Sequence, residues 1–124
     1  MRVLIVEDEP LLAMLLEDNL AELGHDLVGS AATVEQALAV LESEQVDCAL
    51  LDYSLGHEMN SLEIAERLQG TGTPFYFLTG HSHLTCDLPI DAPMLEKPVT
   101  LDQLHRALNA MDLALHTAAH WAAG

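Results

Sequence analysis

The chain has 124 residues, which fits a single domain, and half of them are hydrophobic, which is enough for a packed core and too many for a disordered chain. Twenty Asp and Glu residues against four Lys and Arg residues give a formal net charge of −16. This charge repels phosphate backbones and anionic lipids, and four scattered cations form no basic cluster. Binding to nucleic acid or to a membrane surface is therefore excluded first.

Other classes of protein are excluded by the hydropathy and cysteine patterns. No apolar run approaches the roughly 18–20 residues of a membrane span. The N-terminal apolar run is short, ends in acidic residues and has no small-residue cleavage site of a signal peptide. Two cysteines, Cys48 and Cys86, do not suggest a disulfide framework. We expect a cytoplasmic protein.

Five short apolar runs predict five strands, at residues 3–6, 26–28, 48–51, 75–78 and 94–95. Stretches with helical spacing follow four of these strands. The first predicted helix starts at Pro10, ends at Gly24 and has one apolar face formed by Leu12, Leu15, Leu16, Leu20 and Leu23.

Local signals mark the other three helices. Thr33 with Gln36, and Thr100 with Gln103, have the spacing of capping boxes at helix N-termini. Ser61 is expected to cap a further helix that Gly70 ends.

One helix is missing from the regular alternation. The segment between the fourth and fifth strands contains a glycine and two prolines and has no apolar periodicity. It predicts a fourth helix that is short or replaced by a loop, at residues 81–92. Fully apolar strands separated by helices predict an α/β fold, with an open parallel five-stranded sheet covered by helices on both faces.

Polar residues follow four of the predicted strands. Glu7 and Asp8 follow the first strand, Asp52 the third, Thr79 the fourth and Lys97 the fifth. The carboxyl ends of parallel strands meet at one edge of an open sheet, where ligands bind. The three carboxylates would repel one another without a cation, and hard oxygen ligands favour Mg²⁺ over Ca²⁺ or Mn²⁺. A metal, an ammonium and a hydroxyl can surround a transferring phosphoryl group, and a carboxylate can accept one.

Four motifs, VEDEP, LLDYSLG, FLTG and EKP, occur in this order after the first, third, fourth and fifth strands. Together they resemble the response-regulator receiver domain, over about residues 1–117, with a C-terminal tail at 118–124. The resemblance implies a flavodoxin-like (βα)5 fold and phosphorylation of Asp52 by a sensor histidine kinase or a histidine phosphotransfer protein. It implies direct Mg²⁺ binding by Asp8 and Asp52, with Glu7 acting through water and the backbone carbonyl of Ser54 as a further ligand.

The same resemblance assigns roles to residues after the fourth and fifth strands. Thr79 turns toward the phosphoryl group, Lys97 pairs with it, and the Lys97–Pro98 peptide bond is cis. Gly80 leaves room for the phosphoryl donor. His81 is predicted to influence the lifetime of the aspartyl phosphate.

The sequence also departs from the usual receiver pattern. Met94 stands where receivers carry an aromatic residue whose ring moves on activation, so the aromatic readout is not expected in its usual form. The segment PFYFLTGHS resembles a subset of single-domain receivers with a PFxFxTG signature, which are linked to HWE-class sensor kinases. In that subset, a change of the loop at 81–92 between an ordered and a disordered state would be a signalling event.

We therefore expect one stand-alone receiver domain over residues 1–124, not a conventional enzyme, whose output is partner binding or withdrawal of phosphate from a kinase. Two alternatives remain open. One is a pseudo-receiver that binds partners without phosphorylation. The other is a phosphohydrolase of the haloacid-dehalogenase type, although that class needs a second Asp where Ser54 stands. Apolar residues on the last helix leave a homodimer or a kinase contact open.

Overall fold

The computed structural model of the chain describes residues 1–55, 61–80 and 92–117. Within these ranges the chain forms five strands and four helices that alternate as far as β4. In chain order they are β1 (Arg2–Val6), α1 (Pro10–Glu22), β2 (Asp26–Ala31), α2 (Val34–Ser43), β3 (Cys48–Asp52), α3 (Leu62–Thr71), β4 (Phe75–Thr79), β5 (Met94–Glu96) and α4 (Leu101–Thr117). The predicted loop at 81–92 lies, except for its last residue, outside the described residues, as does the tail at 118–124.

The strands form one sheet in the order β2-β1-β3-β4-β5, and every neighbouring pair is parallel. Both predictions, a five-stranded parallel sheet and an open α/β fold, are confirmed. Because all strands run in the same direction, the residues that follow β1, β3, β4 and β5 meet at one edge of the sheet.

The sheet is buried on both faces because its strands are apolar at successive positions. In β1, Leu4 and Val6 pack against α2 and α3, whereas Val3 and Ile5 pack against α1 and α4. The same alternation occurs in β3, whose five residues are all buried. This explains why the central strands are continuous hydrophobic runs rather than alternating ones.

Most predicted helix ends agree with the structure. Helix α1 begins at Pro10, and Gly24, just past its end, has a φ of 84° that favours glycine. Gln103 N–H donates to Thr100 Oγ1 at 3.1 Å, and Thr100 N–H donates to Gln103 Oε1 at 3.0 Å, as a capping box requires. The Thr33 hydroxyl likewise accepts from the backbone N–H of Gln36 at 3.1 Å.

The ends of α3 differ from the prediction. Ser61 precedes the helix, but its side chain makes no capping hydrogen bond, because its backbone is not in the extended conformation of an N-cap (φ −95°, ψ 17°). Gly70 lies inside the helix. The helix ends instead at Gly72, which adopts the left-handed conformation with a φ of 72°.

Two other expectations need correction. Strand β2 extends to Ala31 rather than stopping at Val28, since pairing with β1 continues through Gly29 and Ser30. Leu15 was expected on the buried face of α1 but is 47% exposed. No helix in the described parts of the chain is long and apolar enough to cross a membrane.

Candidate functional site

The structure brings together the polar residues that follow the strands. Glu7 directly follows β1, Asp52 ends β3, Thr79 ends β4, and Lys97 directly follows β5. The register of the paired strands fixes the relative positions of these residues along the strand direction. Leu51 lies opposite Phe77, Asp52 lies opposite Leu78, and Thr79 lies opposite Glu96. The backbone N–H of Lys97 donates to the Thr79 carbonyl at 2.8 Å, which holds the lysine beside the end of β4.

Lys97 forms the centre of the site. Its Nζ lies 2.9 Å from Glu7 Oε1 and 3.1 Å from Asp52 Oδ2, so one ammonium group contacts carboxylates from two different strands. The Lys97 side chain is 18% exposed, and the carboxylate side chains are almost completely buried. Charge-assisted contacts of this kind, away from water, are stronger than surface ion pairs.

A third carboxylate completes an acidic cluster. One oxygen each of Glu7, Asp8 and Asp52 lie within 4.8 Å of one another, and Asp8 is exposed while the other two are buried. Three oxygen ligands without a thiolate or imidazole suit a hard divalent cation. One exposed ligand beside two buried ones would leave part of the metal's coordination shell for water and substrate oxygens. The donor set therefore fits Mg²⁺.

Electrostatics also favour a cation here. Burial, together with the neighbouring Glu7 carboxylate, raises the pKa of Asp52 to about 8, although Lys97 opposes the shift. Burial opposes ionisation of Glu7 too, but hydrogen bonds with Asp52 and Lys97 hold its pKa below the ordinary value. Burial would lower the pKa of Lys97, but contacts with Glu7 and Asp52 raise it overall. Lys97 is therefore held in its charged form, and a further cation bound at the cluster would favour the ionised form of Asp52.

Backbone donors orient the two buried carboxylates. Glu9 N–H donates to Glu7 Oε2 at 3.2 Å, and Ser54 N–H donates to Asp52 Oδ1 at 3.3 Å. The second bond places Ser54, the predicted carbonyl ligand, directly beside the Asp52 side chain. The carboxylates are thus held by the same short segments that follow their strands.

The remaining predicted site residues lie at the ends of β4 and β5 where the structure describes them. Thr79 is 6% exposed at the end of β4. Gly80 is exposed, and a Cβ atom added there would meet no described atom within 4 Å. His81 lies outside the described residues.

Met94 and Pro98 lie on either side of Lys97 in the sequence. Met94 pairs with Phe77 across β4 and β5 and packs half-buried against the apolar cluster under α2 and α3. The Lys97–Pro98 peptide bond is cis, as the resemblance implies.

An apolar surface beside the site was not foreseen. On α1, Leu11 is 74%, Met14 59% and Leu15 47% exposed. Leu15 also lines a small slot together with Glu7 and Lys97, so this surface reaches the charged cluster. The sequence contained a signal for it, because leucines at 11, 12, 15 and 16 are more than one helix face can bury.

Comparison with known proteins agrees with this geometry. The response regulator receiver domain model matches residues 3–109. The chain is 35% identical over 100 residues to the phyllosphere-induced regulator PhyR of Methylorubrum extorquens, a match that covers 77% of this chain and 38% of PhyR. The chain spans less than half the length of the curated relatives that it matches.

Solved structures give the same result. SdrG from Sphingomonas melonis Fr1 superposes with a TM-score of 0.76 at 42% sequence identity, over 90% of this chain and 95% of SdrG. TrrA from Thermotoga maritima, solved in complex with Mg²⁺ and BeF, superposes with a TM-score of 0.76 at 26% identity, over 89% of this chain and 97% of TrrA. These relatives are regulators and not conventional enzymes, which disagrees with the hydrolase alternative. The chain belongs to the response regulator receiver domain family of two-component signalling.

Proposed function

We propose that Asp52 accepts a phosphoryl group from the phosphohistidine of a sensor kinase or of a histidine phosphotransfer protein. The observation that carries this proposal is the position of Lys97, whose ammonium lies 3.1 Å from Asp52 Oδ2 within the cluster of three carboxylates. A purely structural ion pair would not need two further acids at the same strand edge. The Lys97 ammonium would therefore already lie next to a phosphoryl group formed on Asp52.

Asp8 and Asp52 would hold Mg²⁺ directly, Glu7 through a water molecule, and Ser54 through its backbone carbonyl. The cluster of oxygen donors within 4.8 Å supports this assignment. When bound, Mg²⁺ would offset negative charge on the carboxylates and on the phosphoryl oxygens.

The chain's own residues then account for the transfer. An oxygen of ionised Asp52 attacks phosphorus in line, the bond between phosphorus and the imidazole nitrogen breaks, and its electron pair stays on that nitrogen. The Lys97 ammonium offsets charge on the phosphoryl oxygens. The Thr79 hydroxyl donates to one of these oxygens and reports the new anion. Because burial and the Glu7 carboxylate raise the pKa of Asp52, a bound cation would also favour the ionised carboxylate that the attack requires.

Partner and output follow from the same proposal. The PFYFLTG segment supports a donor kinase of the HWE class. The output of the domain would be contact with a partner protein or withdrawal of phosphate from the kinase. His81 would set the lifetime of the aspartyl phosphate, Gly80 would admit the donor, and Met94 would take the space of the usual aromatic residue.

The proposal is tested by intact-protein mass measurement after incubation with phosphoramidate or acetyl phosphate and Mg²⁺. We expect one added phosphoryl group, which Asp52→Ala abolishes and Asp18→Asn, on the exposed side of α1, leaves unchanged. If the folded wild-type protein gains no adduct, the chain is a pseudo-receiver that binds partners without phosphorylation.

A further inference from the structure

Ser61 is an exception among the buried polar residues. Four polar or charged residues are buried in the described part of the chain, and three of them, Glu7, Asp52 and Thr79, belong to the strand-end site. The fourth, Ser61, is completely buried, and its Oγ has no hydrogen-bond partner among the described residues. Buried hydroxyl groups are nearly always paired, because an unpaired one loses its bonds to water without compensation.

Helix formation does not explain this serine. Its hydroxyl makes no capping bond, although its carbonyl accepts from Ala65 N–H at 2.9 Å and so begins α3. Alanine at this position would fill nearly the same space and leave no polar group unpaired. No described residue therefore gives the hydroxyl a bond in this conformation, which points to a role in another conformation.

Backbone hydrogen bonds connect Ser61 to the phosphoryl-acceptor strand. Ser61 N–H donates to the Tyr53 carbonyl at 3.0 Å, and Tyr53 N–H donates to the Leu78 carbonyl at 3.0 Å. Tyr53 lies between Asp52 and Ser54, which are themselves joined by the bond from Ser54 N–H to Asp52 Oδ1 at 3.3 Å. A shift of the peptide units at 53–55 would therefore act directly on the backbone of Ser61, which is bonded to the Tyr53 carbonyl.

We propose that Ser61 is a positioning residue for the metal and phosphoryl site. When residues 53–55 adjust to place the Ser54 carbonyl on a bound cation, the Ser61 hydroxyl donates to a backbone carbonyl of these residues and holds them in the loaded position. This inference rests on the proposed function, since it concerns the same site. It adds a residue from the start of α3 that does not touch the metal or the phosphoryl group.

The test compares wild type with Ser61→Ala and with the matched control Ser43→Ala, whose exposed hydroxyl donates only to the Ala39 carbonyl within α2. Two quantities are measured: the thermal midpoint in EDTA, and the affinity for beryllofluoride with Mg²⁺ by calorimetry. We expect Ser61→Ala to have an unchanged or higher midpoint in EDTA, yet to bind beryllofluoride with Mg²⁺ about five-fold more weakly, which corresponds to one ordinary hydrogen bond. Ser43→Ala should bind as wild type does.

Two results would overturn the inference alone. One is equal beryllofluoride affinity of wild type and Ser61→Ala, and the other is a lower midpoint of Ser61→Ala in EDTA, which would mean that the hydroxyl is already paired without metal. If folded wild-type protein itself fails to bind beryllofluoride with Mg²⁺, the proposed function fails, and the inference fails with it.

Discussion

The ammonium group of Lys97 lies 3.1 Å from Asp52 Oδ2, and this residue is the only lysine in the chain. The same group lies 2.9 Å from Glu7 Oε1, so it compensates two buried carboxylates at once. A protein with a net charge of −16 thus places one of its four Lys and Arg residues between two buried carboxylates. This contact links folding stability to the chemistry of the site.

Lys97→Ala is expected to lower both stability and phosphorylation. Removing the cation leaves Glu7 and Asp52 buried without compensation, which we expect to lower the free energy of unfolding by about 2 kcal/mol, less than for a fully enclosed pair because Asp52 can take up a proton. Phosphorylation by acetyl phosphate should slow at least ten-fold. Urea denaturation and intact mass measure the two effects.

Arg106→Ala is the control for this substitution, because its ion pair with Asp102 lies on the exposed surface of α4. We expect a change in unfolding free energy of less than about 0.5 kcal/mol. A Lys97→Ala variant as stable as Arg106→Ala would contradict the role assigned to the buried ion pair.

Asp52→Asn should separate intrinsic stability from metal binding. The amide replaces an acid whose ionisation is disfavoured by burial and by Glu7 and which is ionised in the unfolded chain, so the metal-free variant should be at least as stable as wild type. Mg²⁺ at about a hundred times its dissociation constant should stabilise wild type by about 2.7 kcal/mol, and most of this gain should be lost in Asp52→Asn. Thermal unfolding with EDTA and with Mg²⁺ gives both values, and Asp18→Asn should retain the full gain. Equal Mg²⁺ stabilisation of Asp52→Asn and wild type would place the metal elsewhere.

Sequence patterns were sufficient to predict the parallel sheet and the residues at its edge. Apolar runs such as 48–51 mark strands buried on both faces, and the topology of an open α/β sheet brings the residues that follow them together. Asp52 and Lys97 could be placed at one edge in this way before their distance was known. The contact between Lys97 and Glu7 was not predicted, because it depends on the register of the paired strands, which the sequence does not specify.

Tertiary contacts explain what the sequence did not reveal. Ser61 has a good local signal for a cap, but its backbone angles are set by the bond to the Tyr53 carbonyl, eight residues earlier in the chain. Strand β2 continues through Gly29 and Ser30, which have little strand preference of their own, because β1 supplies the pairing. Local propensity could not anticipate either contact.

Gly29→Ala is expected to destabilise the fold. A Cβ at this position would lie 2.9 Å and 3.0 Å from the two methyl groups of Val40, so β2 and α2 would have to move apart. We expect the free energy of unfolding to fall by about 1–3 kcal/mol, as for other overpacked sites.

Gly70→Ala is the matched control, because a Cβ added there meets no described atom within 4 Å. Alanine also has a higher helix preference than glycine within α3, so this variant should gain about 0.5–1 kcal/mol of stability. Urea midpoints compare the two, and a neutral Gly29→Ala would show that Val40 moves aside freely.

Cys48 should resist thiol reagents while the protein is folded. Burial raises the pKa of its thiol to about 12, and the residue has no exposed surface. Very little of the reactive thiolate therefore forms near pH 8 while the protein is folded. In a Cys86→Ser background, labelling at pH 8 should be far slower in buffer than in urea. Comparable rates in both would show that the core beneath α1 and α4 opens readily.

Substitutions on the exposed surface of α1 should impair phosphotransfer between proteins and leave chemical phosphorylation intact. Leu11 and Met14 are 74% and 59% exposed, and the apolar surface to which they belong continues through Leu15 to the slot beside Lys97. Under the proposed function, a phosphohistidine donor would bring its imidazole to Asp52, so its protein surface would rest on elements near that edge. Helix α1 also has acidic residues in its second half and no Lys or Arg. A complementary donor surface would therefore carry both apolar and basic side chains.

The double variant Leu11→Gln, Met14→Gln should therefore react with acetyl phosphate at the wild-type rate, because both side chains are exposed on α1 and neither belongs to the cluster of carboxylates or to the ion pairs of Lys97. Its phosphorylation by autophosphorylated sensor kinases that act on wild type should fall at least ten-fold, and the wild-type rate should itself fall as salt is raised. Leu113→Gln, which removes a 64% exposed leucine from α4, is the matched control and should transfer normally. If Leu113→Gln slows transfer and the α1 variant does not, the donor approaches over the last helix. That result would favour the kinase contact that the apolar residues of this helix left open.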